Sequence, residues 1–66
     1  MAVAKVIEVI AESEESWEAA TRQAVSDVSD TVRNIKHVWI EGMQATVENN
    51  QIVSYRINAK VTFVVS

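Results

Sequence analysis

The chain has 66 residues, 48% of them hydrophobic, a formal net charge of −3, a single histidine, a single glycine, and neither cysteine nor proline. Without cysteine there are no disulfides, thiolate zinc sites or thiol nucleophile, and the acidic balance argues against nucleic-acid phosphates as the partner. A chain this short buries only about 60% of its unfolded surface, and with one histidine a structural metal site is poorly supplied, so oligomerisation is the remaining remedy.

The elements follow in chain order. "VAKVIEVI", residues 3–10, is rich in β-branched residues and reads as a strand. Its two faces, Val3, Lys5, Ile7, Val9 and Ala4, Val6, Glu8, Ile10, are both largely apolar. "SEESWEAATRQAVSDVSDTVRNI" then changes period. Trp17, Ala20, Ala24, Val28, Val32 and Ile35 recur at steps of three and four, which predicts a helix with one apolar stripe. Ser13 is the expected N-cap, Glu14 and Glu15 suit the first turn, and Arg33 suits the last. Glu18 and Arg22 stand at i,i+4 in the favourable order.

Residues 36–47 and 52–65 read as two strands joined by "ENNQ". Asn49 and Asn50 tolerate positive φ, so a two-residue type I′ turn is expected. That loop sets a register. Val38 faces Val61, Ile40 faces Ala59, Ile57 faces Gly42 and Tyr55 faces Gln44 on the apolar side. His37 faces Thr62, Trp39 faces Lys60, Glu41 faces Asn58 and Met43 faces Arg56 on the other.

The order is therefore strand–helix–strand–strand. The expected fold class is α+β: one three-stranded sheet of order 1-3-2, its third strand antiparallel to both others, with the helix on one face. Nothing in the chain remains for the second face, where Trp39, Met43, Ala45 and Val47 mix with His37, Glu41, Arg56 and Lys60. Aromatics, Met and Arg among polar groups make an interface composition, so further copies of the chain, or a ligand held between copies, are expected to cover it.

Catalysis finds little support. One histidine and no cysteine supply no triad within a chain, and one glycine makes no phosphate loop. Glu14, Glu15, Asp27, Asp30 and Glu48 offer hard oxygen ligands for Ca²⁺ or Mg²⁺, without an EF-hand pattern. No apolar run approaches the roughly 20 residues of a membrane span, and the N-terminal "MAVAKVIEVI" does not read as a signal peptide. One cytoplasmic domain over residues 1–66 is expected.

The stretches "KVIEVIAESEESWEAATRQAV", "DTVRNIKHVWIEGM" and "SYRINAKVTFVV" together resemble the dodecins, without gaps over nearly the whole chain. The resemblance implies a hollow, roughly spherical homododecamer of cubic symmetry, each subunit a three-stranded sheet partly wrapped around one helix. Its flavin-binding members hold riboflavin, FMN or related molecules in pairs between subunits and store them without turnover. The resemblance also implies a site. His37 stands where those members have a tryptophan that stacks on the flavin ring, and Arg56 where they have a glutamine that hydrogen-bonds its polar edge. Both anchors are replaced. A subgroup lacking the tryptophan is described as binding calcium, and Ser16-Trp17-Glu18 and Tyr55-Arg56-Ile57 are among the stretches similar to that branch.

The candidate ligand residues are accordingly His37, Trp39 and Arg56. Trp39 offers the larger ring and Arg56 a partner for a carboxylate, phosphate or carbonyl edge. In the expected register Arg56 lies about 20 Å from His37, so the two would share a site only across a subunit boundary. An inter-subunit salt bridge is the alternative role for Arg56, as subunit packing is for Trp39 and an interface hydrogen bond for His37.

Overall fold

The structure is a computed structural model, and it describes residues 3–65. Strand β1 (Val3–Ser13), helix α1 (Trp17–Val28), strand β2 (Ile35–Glu48) and strand β3 (Gln51–Val65) follow in that order. The sheet order is β1-β3-β2, with β3 antiparallel to both neighbours, as the alternation of residues predicts.

The helix is shorter than its apolar periodicity suggests. Its N-cap is Ser16, whose hydroxyl accepts from the Ala19 N–H at 2.9 Å. Ser13, the expected cap, is still in β1 opposite Tyr55, and its hydroxyl accepts from the Glu15 N–H instead. Sheet pairing thus claims Ser13 before the helix can. At the other end the helix stops at Val28. The N–H groups of Thr31 and Val32 both reach the Val28 carbonyl, the Ser29 hydroxyl bonds back to the Ser26 carbonyl, and Asn34 turns the chain with φ of 63°. Local hydrogen bonding by such residues competes with helix continuation. Ile35 then joins β2 opposite Phe63, so neither it nor Arg33 is helical.

The hairpin turn is the expected one. Asn49 and Asn50 both have positive φ, 53° and 64°, and Glu48 pairs with Gln51 to close a two-residue loop. The register is as expected from His37–Thr62 to Ile40–Ala59 and departs beyond it. Glu41 is an extra residue, so Gly42 faces Asn58, Met43 faces Ile57, Gln44 faces Arg56 and Ala45 faces Tyr55. Val53 is extra on β3, which restores the original pairing at Val47–Ile52. A β-bulge of this kind bends a strand and turns the following side chains over. Met43 and Ala45 therefore leave the outer face, and Gln44 replaces Met43 beside Arg56.

The core is small. Ala20, Ala24 and Val28 from the helix and Ile57, Ala59 and Val61 from β3 are the buried hydrophobics among the described residues, with Val9, Ala11, Trp17, Val38 and Ile40 packed partly buried around the centre. Burying Ile57 and Val61 contributes about 1.5–3 kcal/mol each. The body is long, 52 × 19 × 13 Å, with a radius of gyration of 13.5 Å. A compact domain of this length would have about 11 Å. No helix among the described residues is long and apolar enough to cross a membrane.

Candidate functional site

The uncovered side of the sheet is where the candidate residues lie. Because directly paired residues share a face, four rows cross it from β1 through β3 to β2. Val6, Thr62 and His37 form the first, Glu8, Lys60 and Trp39 the second, and Glu12, Arg56 and Gln44 the last. Ile10 and Asn58, with Gly42, lie between the second and the last. Ile10 is 70% exposed and Trp39 65%, on a face that also shows Val6. Large apolar side chains gathered at such exposure mark an interaction surface.

Arg56 and Lys60, the two basic side chains of these rows, are each engaged. The Arg56 Nε donates to the Glu12 carboxylate at 3.0 Å, a pair in which both side chains are 45% exposed. Arg56 thus has a carboxylate partner within its own chain. Lys60 Nζ stands 3.4 Å from the Glu41 carboxylate and 5.7 Å from the centre of the Trp39 ring. The ammonium is attracted by the face of the indole, and the bulge at Glu41 brings a carboxylate to the same spot. One side of the Trp39 ring therefore already has a cation.

His37 and Trp39 are two residues apart on one face, and His37 is exposed opposite Thr62. Arg56 is six residues along β3 from Thr62, about 20 Å. One subunit thus holds Trp39 and Arg56 on a common face four residues of β3 apart, and keeps His37 and Arg56 distant. Gln44 and Glu8 belong to the same surface as Asn58 and Lys60, and residue pattern alone does not place them there: it sets Gln44 on the apolar side and leaves the faces of β1 unassigned. The signal for Gln44 was Gly42, since an isolated glycine in a strand marks a bulge or a close approach.

The hard oxygen ligands are scattered. Glu14 and Glu15 precede the helix, Asp27 accepts from Gln23 at 2.8 Å, Asp30 lies in the turn after α1 and Glu48 at the hairpin. Among the described residues no three His, Cys, Asp or Glu side chains come together as a metal group within the chain.

The other tryptophan belongs to the opposite side. Trp17 packs edge-on against Tyr55 with ring centres 4.8 Å apart and donates from Nε1 to the Gln44 carbonyl at 2.8 Å. It fixes the helix start on the sheet.

Comparison with known proteins agrees with this architecture. The family model described as Dodecin matches residues 3–66. The calcium dodecin of Mycobacterium tuberculosis is 35% identical over 63 residues, covering 96% of this chain and 89% of that protein. The crystal structure of that calcium dodecin, described as a calcium-chelating antigen with a calcium-binding site, has a TM-score of 0.83 at 34% identity and covers 92% of this chain and 87% of its own. A point mutant of the Thermus thermophilus dodecin shares the fold with a TM-score of 0.94 at 24% identity over 100% and 98% of the two chains. The Streptomyces coelicolor dodecin does so at 0.93 and 23% identity over 98% and 93%. A family match spanning β1 to the end of β3, on a strand–helix–strand–strand subunit of the same sheet order, makes this chain a member of the dodecin family.

Proposed function

We propose that the chain assembles into a homododecameric shell that binds and stores a flat aromatic ligand of the flavin class between its subunits, without turnover, in the cytoplasm. The observation that carries this reading is the bare outer face of the sheet, with Trp39 65% and Ile10 70% exposed. A subunit with six buried hydrophobic residues among those described leaves that face to other copies. Trp39 supplies a stacking surface, His37 a second ring two residues away, and Arg56 the polar partner, reached by His37 only from a neighbouring subunit. Both residues that anchor flavin in flavin-binding dodecins are replaced, so the expected affinity for riboflavin or FMN is weak.

Native mass spectrometry tests assembly and ligand together. Twelve subunits retaining a small molecule support the reading, and so does quenching of riboflavin or FMN fluorescence at micromolar protein. A monomer, or an assembly that leaves both flavins' fluorescence unchanged, counts against it.

A second reading is favoured by the 35% identity to a calcium dodecin. In it the shell holds Ca²⁺ or serves a structural role without flavin. Since no carboxylate cluster forms within the described part of one subunit, the ion would have to sit between copies. A melting temperature that rises with added calcium and falls with a chelator supports this version, and indifference to both removes it.

A further inference from the structure

The row between Lys60 and Arg56 holds Ile10, Asn58 and Gly42, and its β2 end carries no side chain. Gly42 does not have positive φ, so backbone freedom is not the reason for it. Its role is space. A Cβ on Gly42 would stand 2.5 Å from the Asn58 Oδ1 and 3.5 Å from its Cγ. The Asn58 carboxamide therefore lies across β2 in the room that the missing side chain leaves.

Around it the polar groups are open. Among the described residues the Asn58 and Gln44 side chains make no hydrogen bond, and of the Arg56 guanidinium only Nε is engaged, with Glu12. Asn58, Gln44 and Arg56 line one groove with Glu8, Val9 and Ile10, a hollow of ≈ 530 Å³. That volume lies in the range of small-molecule sites. The Gln44–Arg56 pair lines one end, and the row of Lys60 and Trp39 follows next beyond Asn58 at the other, about 6–7 Å further along β3.

We infer that this groove is the ligand slot and that Asn58, seated on Gly42, selects what enters it. The inference rests on the flavin-class reading above and names the part of the ligand that is recognised. A carboxamide accepts at its oxygen and donates at its nitrogen, and a guanidinium only donates. Two carboxamides in adjacent rows beside free guanidinium N–H groups complement an edge on which carbonyls flank an N–H. That is the imide edge of a flat, neutral heteroaromatic. The Glu8 carboxylate in the same groove accepts a further N–H and disfavours an anionic group there. Lys60 stands over one face of Trp39, which leaves the other for stacking.

The test uses the assembled protein, with lumiflavin and lumiflavin methylated at its imide nitrogen as probes and fluorescence quenching as the readout. A site built to hydrogen-bond an N–H rejects the analogue lacking it, so wild type is expected to favour lumiflavin by about tenfold or more. Asn58→Ala and the similarly sized Asn58→Leu are each expected to reduce that preference to about threefold or less, with subunit number unchanged by native mass spectrometry. If an Asn58 variant does not assemble, Gln44→Ala in the same groove is expected to narrow the preference likewise. Equal binding of both probes by wild type leaves the flavin-class reading standing and overturns the inference, as does full preference retained in the assembled Asn58 or Gln44 variants. Binding of neither probe overturns both.

Discussion

The Trp17 Nε1 donates to the Gln44 carbonyl oxygen at 2.8 Å, joining the first residue of the helix to a strand 27 positions later. The same indole meets Tyr55 edge-on. The two tryptophans thus have separate duties, one inside the subunit and one facing outward. Trp17→Phe keeps a ring against Tyr55 and loses the hydrogen bond. It is expected to lower the unfolding free energy by about 1–2 kcal/mol in a denaturant titration and to leave subunit number intact. Trp39→Ala is expected to disturb assembly or ligand retention more than Trp17→Phe does, as read by native mass spectrometry. Equal, minor effects from both substitutions would contradict the role given to the outer face.

The position of the helix cap has its own signature. Ser16→Ala removes the hydroxyl that accepts from the Ala19 N–H and is expected to cost about 1 kcal/mol. Ser13→Ala removes an exposed turn contact to Glu15, and its expected cost is within about 0.5 kcal/mol. A reversed order in thermal melts would move the cap back to Ser13.

The Glu12–Arg56 pair is close but half open to solvent. Exposed pairs of this kind contribute about 0–1 kcal/mol. Glu12→Gln is therefore expected to change stability by less than about 1 kcal/mol, and any change should shrink further at high salt. A loss of several kcal/mol would mean that the pair is sealed from water in the assembly.

The turn between β2 and β3 is open to improvement. Asn50 has φ of 64° in a two-residue loop where both residues are left-handed, and glycine is favoured at the second position. Asn50→Gly is expected to be neutral or to stabilise slightly, whereas Asn50→Val, which resists positive φ, is expected to cost about 1–2 kcal/mol. Both are read from denaturation midpoints at one protein concentration, because an assembling subunit melts in a concentration-dependent way.

Much of this fold was legible because alternation is strong in β3. Tyr55, Ile57, Ala59 and Val61 mark one side, Arg56, Asn58, Lys60 and Thr62 the other, and the Asn49–Asn50 turn anchors the hairpin. The helix limits were not legible, since the apolar step of three and four runs on through Val32 and Ile35 after the backbone has left the helix at Val28. Hydrogen bonds from Ser29 and Thr31 decide that end, and they compete with the helix without breaking its apolar rhythm. The candidate site was legible in part. His37, Trp39 and Arg56 do lie on the uncovered face, but one extra residue at Glu41 decides that Gln44, rather than Met43, stands beside Arg56. Such an insertion leaves almost no mark on composition. Its trace was Gly42, whose missing side chain makes room for Asn58.

The order of the strands also bears on how the chain comes into being. β1 pairs with β3 from Val3–Val65 to Ser13–Tyr55, so a strand translated early must await one translated some fifty residues later. The β2–β3 hairpin is local and able to close early, while such distant pairings form slowly. Until Val65 emerges, the apolar β1 has no strand beside it on its own chain, and nascent copies translated side by side on one message are exposed to one another during that interval.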